Sequence, residues 1–317
     1  MSKRTSGIHH ISAIVGHPQE NADFYSGVLG LRLVKKTVNF DDPGTYHLYF
    51  GNETGDPGTI ITFFPWPRAR QGRIGGGQVG ITSYIVPRGS LNNWQERLDD
   101  YGIAWAWSER FGETYLRFHD FHGLKLELVE RDVAESEGGG TLPEDISIRG
   151  FAGAILYSTS PEDTGATLEE TMGLTRIGKE GDMIRYKADG AMGNIIDLKA
   201  TALPLGKMGV GTVHHIAWRA EDDPDQLEWK NWVEANDFRV TPVQDRNYFN
   251  AIYFREKGNV LFEIATDPPG FAIDESQEML GSSLRLPPQF ESQREKIEMT
   301  LPSFKSTSSL YKGANHS

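Results

Sequence analysis

Gly7-Ile-His-His-Ile-Ser-Ala-Ile-Val15 and Gly211-Thr-Val-His-His-Ile-Ala-Trp218 decide how this chain reads. Each is a short apolar run that begins at a glycine and is rich in β-branched residues, the mark of a strand. The same His-His-Ile word opens both, 205 residues apart, which points to an internal repeat. A third apolar run, Asn259-Val-Leu-Phe-Glu-Ile-Ala265, carries one acid in its centre. Two neutral imidazoles and one carboxylate on one face of a metal ion form the ligand set of non-haem Fe(II) oxygenases. One histidine of each pair, His9 or His10 and His214 or His215, is therefore a candidate metal ligand together with Glu263, and alternation along a strand does not say which.

Working outward, each His-His-Ile strand is followed by a helix and three more strands, and two further units share the pattern. The first unit reads as strand 8–15, helix 18–29, and strands near 31–39, 45–51 and 58–64. The second has strand 78–86, a helix carrying Leu91, Trp94 and Leu98 at helical spacing, and strands near 104–110, 113–119 and 123–130. The third has strand 150–158, a helix opened by Ser160-Pro161, and strands near 174–179, 183–188 and 193–199. The fourth has strand 212–219, a helix holding Trp229, Trp232 and Val233, and strands near 238–244, 249–256 and 259–266. The helix stops fall at Gly30, Gly102, Gly173 and Asp237, which are 72, 71 and 64 residues apart.

The expected organisation is α+β, with four βαβββ modules. Residues 1–134 form an N-terminal half of two modules and 146–271 a C-terminal half of two. Residues 272–317 form a wrapping arm with a flexible tail. The Glu135–Gly140 stretch reads as a polar linker, 290–298 as a charged helix, and the last dozen residues as disordered.

Aligned units show where a metal must sit. Their first strands place His10, Ile81, roughly Gly153 and His215 at one position. Their last strands place roughly Thr62, Glu127, Asp197 and Glu263 at another. Modules two and three have carboxylates without histidines. A three-ligand site therefore requires module 1 to pair with module 4, leaving modules two and three to form a second cup without metal. A lone histidine on a strand is usually a hydrogen-bonded core residue. Two at matching positions, with an acid at the matching last-strand position, make the ligand reading the stronger one. His17, His47, His119 and His122 have no such pairing and read as surface, strand or loop residues.

Composition bounds the function classes. The 317 residues include no cysteine, which excludes disulfides, thiolate metal sites and a cysteine nucleophile. A net charge of −12 argues against nucleic-acid or acidic-membrane partners. The apolar runs are too short for a membrane span, and the N-terminus has no apolar secretory core, so a cytoplasmic location is expected. Gly75-Gly-Gly-Gln-Val-Gly80 contains a G-x-G-x-x-G pattern. It precedes a strand where a dinucleotide site needs it to follow one, so it is set aside. Phe63, Phe64, Trp66, Trp105 and Trp107 read as packing residues, and Tyr248 and Phe249 as pocket-wall candidates.

The fourfold βαβββ pattern over residues 7–270 resembles the vicinal oxygen chelate superfamily of glyoxalases, fosfomycin-modifying enzymes and extradiol dioxygenases. There, paired modules form open, cupped sheets around a metal. Val34-Lys-Lys-Thr-Val-Asn-Phe-Asp-Asp-Pro43, Thr45-Tyr-His-Leu-Tyr49, Thr62-Phe-Phe-Pro-Trp66 and the Asp274–Pro288 tail are similar to hydroquinone-type ring-cleaving dioxygenases. The resemblance implies Fe(II), with Mn(II) as the other candidate, held by His10, His215 and Glu263. It further implies roles for His9, Ser12, His214, Arg246 and Tyr253 around the metal. It implies a small aromatic para-diol and O2 as substrates, with ring opening next to a hydroxyl-bearing carbon, and leaves homo-oligomer formation open. By its own chemistry, Arg246 can hold a hydroxyl oxygen, Tyr253 can donate to the reacting oxygens, and His9 or His214 can serve as acid or base. Glyoxalases typically add a second carboxylate from another last strand, and Gly58-Thr-Ile-Ile-Thr-Phe-Phe-Pro65 has none to offer. The alternatives are a catechol extradiol dioxygenase and a non-catalytic protein that binds an aromatic compound. Oxygen uptake separates the binder from the enzymes.

Overall fold

The computed structural model describes residues 3–132 and 140–305. It contains two eight-stranded sheets, each shared by two modules. Module 1 supplies β1 (Ile8–Val15), β2 (Arg32–Val38), β3 (Tyr46–Gly51) and β4 (Ile60–Pro65). Module 2 supplies β5 (Gln78–Val86), β6 (Trp105–Arg110), β7 (Glu113–His119) and β8 (Lys125–Glu130). Module 3 supplies β9 (Gly150–Tyr157), β10 (Thr175–Glu180), β11 (Met183–Lys187) and β12 (Ile195–Lys199). Module 4 supplies β13 (Thr212–Ala220), β14 (Gln244–Asp245), β15 (Phe249–Arg255) and β16 (Leu261–Pro269). One sheet runs β14-β15-β16-β13-β1-β4-β3-β2 and the other β10-β11-β12-β9-β5-β8-β7-β6. Module 1 thus pairs with module 4, and module 2 with module 3, as the ligand chemistry requires.

The first strand of each module runs through the middle of its sheet and is covered on both sides. All eight residues of β1 and all nine of β5 are buried. One face packs on the module's helix. In module 2 that helix is Leu91–Asp100, which buries Leu91, Trp94 and Leu98 on one stripe. Each such side chain contributes roughly 1.5–3 kcal/mol on burial. The four helix stops share one conformation. Gly30, Gly102, Gly173 and Asp237 have φ of 71°, 67°, 73° and 65°, the left-handed geometry that ends a helix. The helices of modules one and three end in widened turns over Asp23–Val28 and Thr167–Thr171.

The strand expected at 238–244 is reduced to Gln244–Asp245. Thr241 still bonds Tyr253 through its backbone and hydroxyl. Pro242 then has no N–H to continue the ladder. The helix expected at 290–298 begins as a 3-10 turn over Pro288–Gln293 and becomes α-helical over Arg294–Thr300. The linker of residues 135–139 and the tail of 306–317 lie outside the described residues.

Gly75 and Gly76 of the G-x-G-x-x-G stretch serve backbone packing. A Cβ there would lie 2.7 Å from the Pro204 carbonyl oxygen or 2.4 Å from that of Leu203. Residues after β16 run back over module 1. The Lys35 ammonium is fully buried and lies 2.5 Å from both Asp274 and Glu275. Among the described residues no helix is long and apolar enough to cross a membrane.

Candidate active site

Strand register alone brings the three candidate ligands together. In the β1–β13 pairing Ser12 faces His215, and in the β13–β16 pairing Ala217 faces Glu263. His10 lies two residues before Ser12 and His215 two before Ala217, so the period of two turns them toward one face. His10 Nε2 lies 3.3 Å from His215 Nε2 and 3.5 Å from Glu263 Oε2, and His215 Nε2 lies 2.8 Å from that oxygen. Donors about 2.1 Å from one ion and at right angles to each other stand about 3 Å apart. All three residues are buried, Glu263 completely.

The carboxylate supplies the test of fit. Both Glu263 oxygens lack a hydrogen-bond partner of good geometry, and the imidazoles of His10 and His215 stand 3.5 and 2.8 Å from Oε2. A buried carboxylate without donors costs several kcal/mol unless a cation compensates it. Burial by itself would raise the Glu263 carboxyl, but His10 and His215 hold it well below the ordinary range. Burial lowers His215, which keeps that imidazole neutral and able to ligate. This donor set suits a divalent metal ion, and it is the one such cluster among the described residues.

The neighbouring histidines orient these rings. His10 Nδ1 lies 2.9 Å from His9 Nδ1, and His215 Nδ1 lies 2.8 Å from His214 Nδ1. A lone pair at Nε2 of a neutral imidazole requires its proton at Nδ1. As ligands through Nε2, His10 and His215 would donate from Nδ1, and His9 and His214 would accept. Burial keeps both acceptors neutral, with His9 well below the ordinary range and His214 at about 3. The repeated His-His word thus places a candidate ligand beside a ring able to orient it, twice.

The remaining sequence candidates divide. His214, Arg246 and Tyr253 line a cavity of 520 Å³ that contains the three ligand side chains. His9 and Ser12 are buried and do not line it. Ser12 Oγ lies 2.7 Å from Thr62 Oγ1. Arg246 donates to Gln244 Oε1 at 2.6 Å and lies 3.5 Å from Asp41. Burial and the Glu263 carboxylate push the Tyr253 phenol far up, so it remains a proton donor.

Two aromatic expectations are corrected. Phe64 and Trp66 line the cavity, with rings stacked at 6.0 Å, because β4 ends at its mouth. Tyr248 lies outside the wall, and its hydroxyl donates to Asp274 at 3.0 Å. Phe249 does line the cavity and packs 4.9 Å from the His10 ring. The sequence reading also missed His47 and Tyr49, both on the wall. Their signal was the alternation of β3, which points residues 47 and 49 to the same face as Thr62 across the β3–β4 pair.

Glu127 and Asp197, the acids of the other cup, meet guanidinium groups. Arg110 bonds both, Arg117 lies 2.9 Å from Glu127, and Arg185 lies 2.8 Å from Asp197.

Known proteins agree with this picture. The Glyoxalase/Bleomycin resistance protein/Dioxygenase superfamily matches residues 7–136 and 150–274. MhqO of Bacillus subtilis (strain 168), named as a ring-cleaving dioxygenase, is 61% identical over 96% of this chain and 98% of its own length. The chlorohydroquinone/hydroquinone 1,2-dioxygenase of Sphingobium indicum is 35% identical over 95% of this chain and 97% of its own. A crystal structure of a Bacillus subtilis protein named as a dioxygenase is 61% identical and superposes with a TM-score of 0.94. It covers 96% of this chain and 99% of its own. With both halves matched and a relative of this identity along nearly its whole length, the chain belongs to the Glyoxalase/Bleomycin resistance protein/Dioxygenase superfamily, as an enzyme related to its ring-cleaving dioxygenases.

Proposed function

We propose that this chain is an Fe(II)-dependent dioxygenase that opens the ring of a hydroquinone beside a hydroxyl-bearing carbon. The observation that carries the reading is a cluster of two imidazoles and one carboxylate, without a second carboxylate in the cluster, in the wall of a cavity lined in part by Phe, Tyr and Trp side chains. Nitrogen and oxygen donors without a thiolate suit Fe(II) or Mn(II). Relationship to a hydroquinone 1,2-dioxygenase supports the para-diol as substrate. His10, His215 and Glu263 would hold the metal, which would supply open coordination for diol and O2 and a path for electrons between them. Both oxygen atoms enter the product, in which the broken C–C bond leaves a carboxylic acid and an aldehyde.

The protein's own groups orient and protonate. His9 and His214 fix the tautomer of the two ligating rings. Tyr253 and the Nε2–H of His214 are donors on the cavity wall beside the ligands. Arg246, steadied by Gln244 and Asp41, has further N–H groups for the far oxygen of a para-diol. Phe249 covers the His10 flank, and Phe64 and Trp66 offer flat surfaces to an aromatic ring, which keeps water from the reacting carbons.

Anaerobic loading with Fe(II), followed by hydroquinone or catechol and then oxygen, tests this reading. One O2 consumed per hydroquinone, with a ring-opened product, is the expected result. Equal or better turnover of catechol would sink the para-diol assignment.

A further inference from the structure

The two halves of the metal cup are not copies of each other, and the difference lies in three positions. Thr62 faces Tyr49 in the β3–β4 pair, and Glu263 faces Tyr253 in the β15–β16 pair. Thr62 also faces Ser12 as Glu263 faces Ala217. Register therefore makes Thr62 the counterpart of Glu263, Ser12 that of Ala217 and Tyr49 that of Tyr253. Two residues back along the facing strand, His47 is the counterpart of Ala251. Where module 4 has a carboxylate beside two alanines, module 1 has a threonine beside a histidine and a serine.

The larger neighbours engage the smaller residue. Thr62 Oγ1 lies 2.8 Å from His47 Nε2 and 2.7 Å from Ser12 Oγ, and His47 Nδ1 lies 2.9 Å from the Tyr49 hydroxyl. All four side chains are buried, with His47 and Tyr49 at the cavity wall. The Thr62 hydroxyl is thus occupied by neighbours and is too short to do what its counterpart does. His47 stands at the register position that Ala251 holds beside Glu263 in module 4.

We propose that Thr62, held by His47 and Ser12, keeps the metal at three protein ligands by standing where the cup's own symmetry would place a fourth. His47 is then a positioning residue that reserves this side of the ion for small-molecule ligands. The inference rests on the metal site of the proposed function.

Mn(II) binding, followed by the electron paramagnetic resonance of the free ion, tests it independently of turnover. Thr62→Glu combined with His47→Ala and Ser12→Ala rebuilds module 4's residues in module 1. It should hold Mn(II) at least about tenfold more tightly, a change of the size that ligand surroundings produce. Ring cleavage by its Fe(II) form should be lost. Thr62→Val should leave Mn(II) affinity within about twofold of the parent chain, because the hydroxyl is not a ligand. A folded triple variant, checked by circular dichroism, with unchanged Mn(II) affinity overturns the proposal, as does loss of Mn(II) from Thr62→Val. If the parent chain itself binds no Mn(II) or Fe(II), it is the metal reading that fails.

Discussion

The two cups solve one electrostatic problem in opposite ways. In both, acids sit on last strands in the floor of a curved sheet, where an unpaired carboxylate is costly. In the cup of modules one and four, Glu263 has the imidazoles of His10 and His215 beside it and no lysine or arginine partner among the described residues. In the cup of modules two and three, Glu127 and Asp197 are bonded by Arg110, Arg117 and Arg185. The register positions that hold Tyr49 and Tyr253 in the first cup hold Arg117 and Arg185 in the second. Arg110 stacks 3.5 Å over Tyr115, and Arg185 lies 4.2 Å over Phe111, so the guanidinium groups pack as well as pair. One scaffold thus supplies its own cations in one half and leaves the acid of the other half open to a metal. The lesson is that a carboxylate in this fold is informative only with its neighbours.

The comparison can be broken at its strongest point by Glu263→Gln. Removing the one ligating carboxylate should cost more than about 100-fold in ring cleavage and in Fe(II) affinity, since losses around ligands alone reach that scale. Metal content and O2 uptake check it, and near-normal Fe(II) retention would refute the ligand role. The counterpart substitution, Glu127→Gln, should leave turnover within about twofold of the parent chain. It leaves Arg117 without its carboxylate and Arg110 with Asp197 as its remaining partner, and should destabilise the fold by about 1–3 kcal/mol, the usual cost of a buried polar group left short of a partner. Denaturant titration measures that, and a loss of Fe(II) with no loss of stability would merge the two cups' roles.

Smaller effects sharpen the contrast. His214→Ala and His9→Ala each remove the acceptor that fixes a ligand's tautomer. Each should weaken metal binding roughly 10–100-fold while leaving all three ligands in place. Equal metal affinity in the parent and both variants would show that the paired rings are merely packed.

Acid should loosen the second cup through Glu113. Burial alone would raise this carboxyl, but hydrogen bonds from Arg131, Tyr115 and Arg185 bring it down from 4.5 to about 2. A depressed carboxyl contributes stability fully above its unfolded value, and that contribution is lost as pH falls from about 4.5 toward 2. In Glu113→Gln the dependence of stability on pH over this window should be shallower than in the parent chain. An unchanged slope would remove Glu113 from the account.

Much of this was readable from residues alone. Four units with a left-handed stop after each helix, at Gly30, Gly102, Gly173 and Asp237, follow from local chemistry that any segment carries with it. The pairing of modules one and four followed from counting which units hold histidines and which hold only acids. The assignment of His10 and His215 over their neighbours rested on resemblance, because alternation alone cannot say which face of a strand turns inward. Register shifts between Ile8 and His10 and between Ser12 and Ala13 further complicate that alternation.

Sequence by itself determined the repeat, the strand-borne triad and the absence of thiolate chemistry, because spacing and residue type are properties of the chain. Tertiary structure alone decided that the Nδ1 atoms of His9 and His214 lie 2.9 and 2.8 Å from those of His10 and His215, that Phe64 and Trp66 face the cavity, and that His47 bonds Thr62. It also decided that arginines occupy the second cup. Those outcomes depend on which strands become neighbours and in what register. A shift of one residue turns a side chain from the cavity to the opposite face.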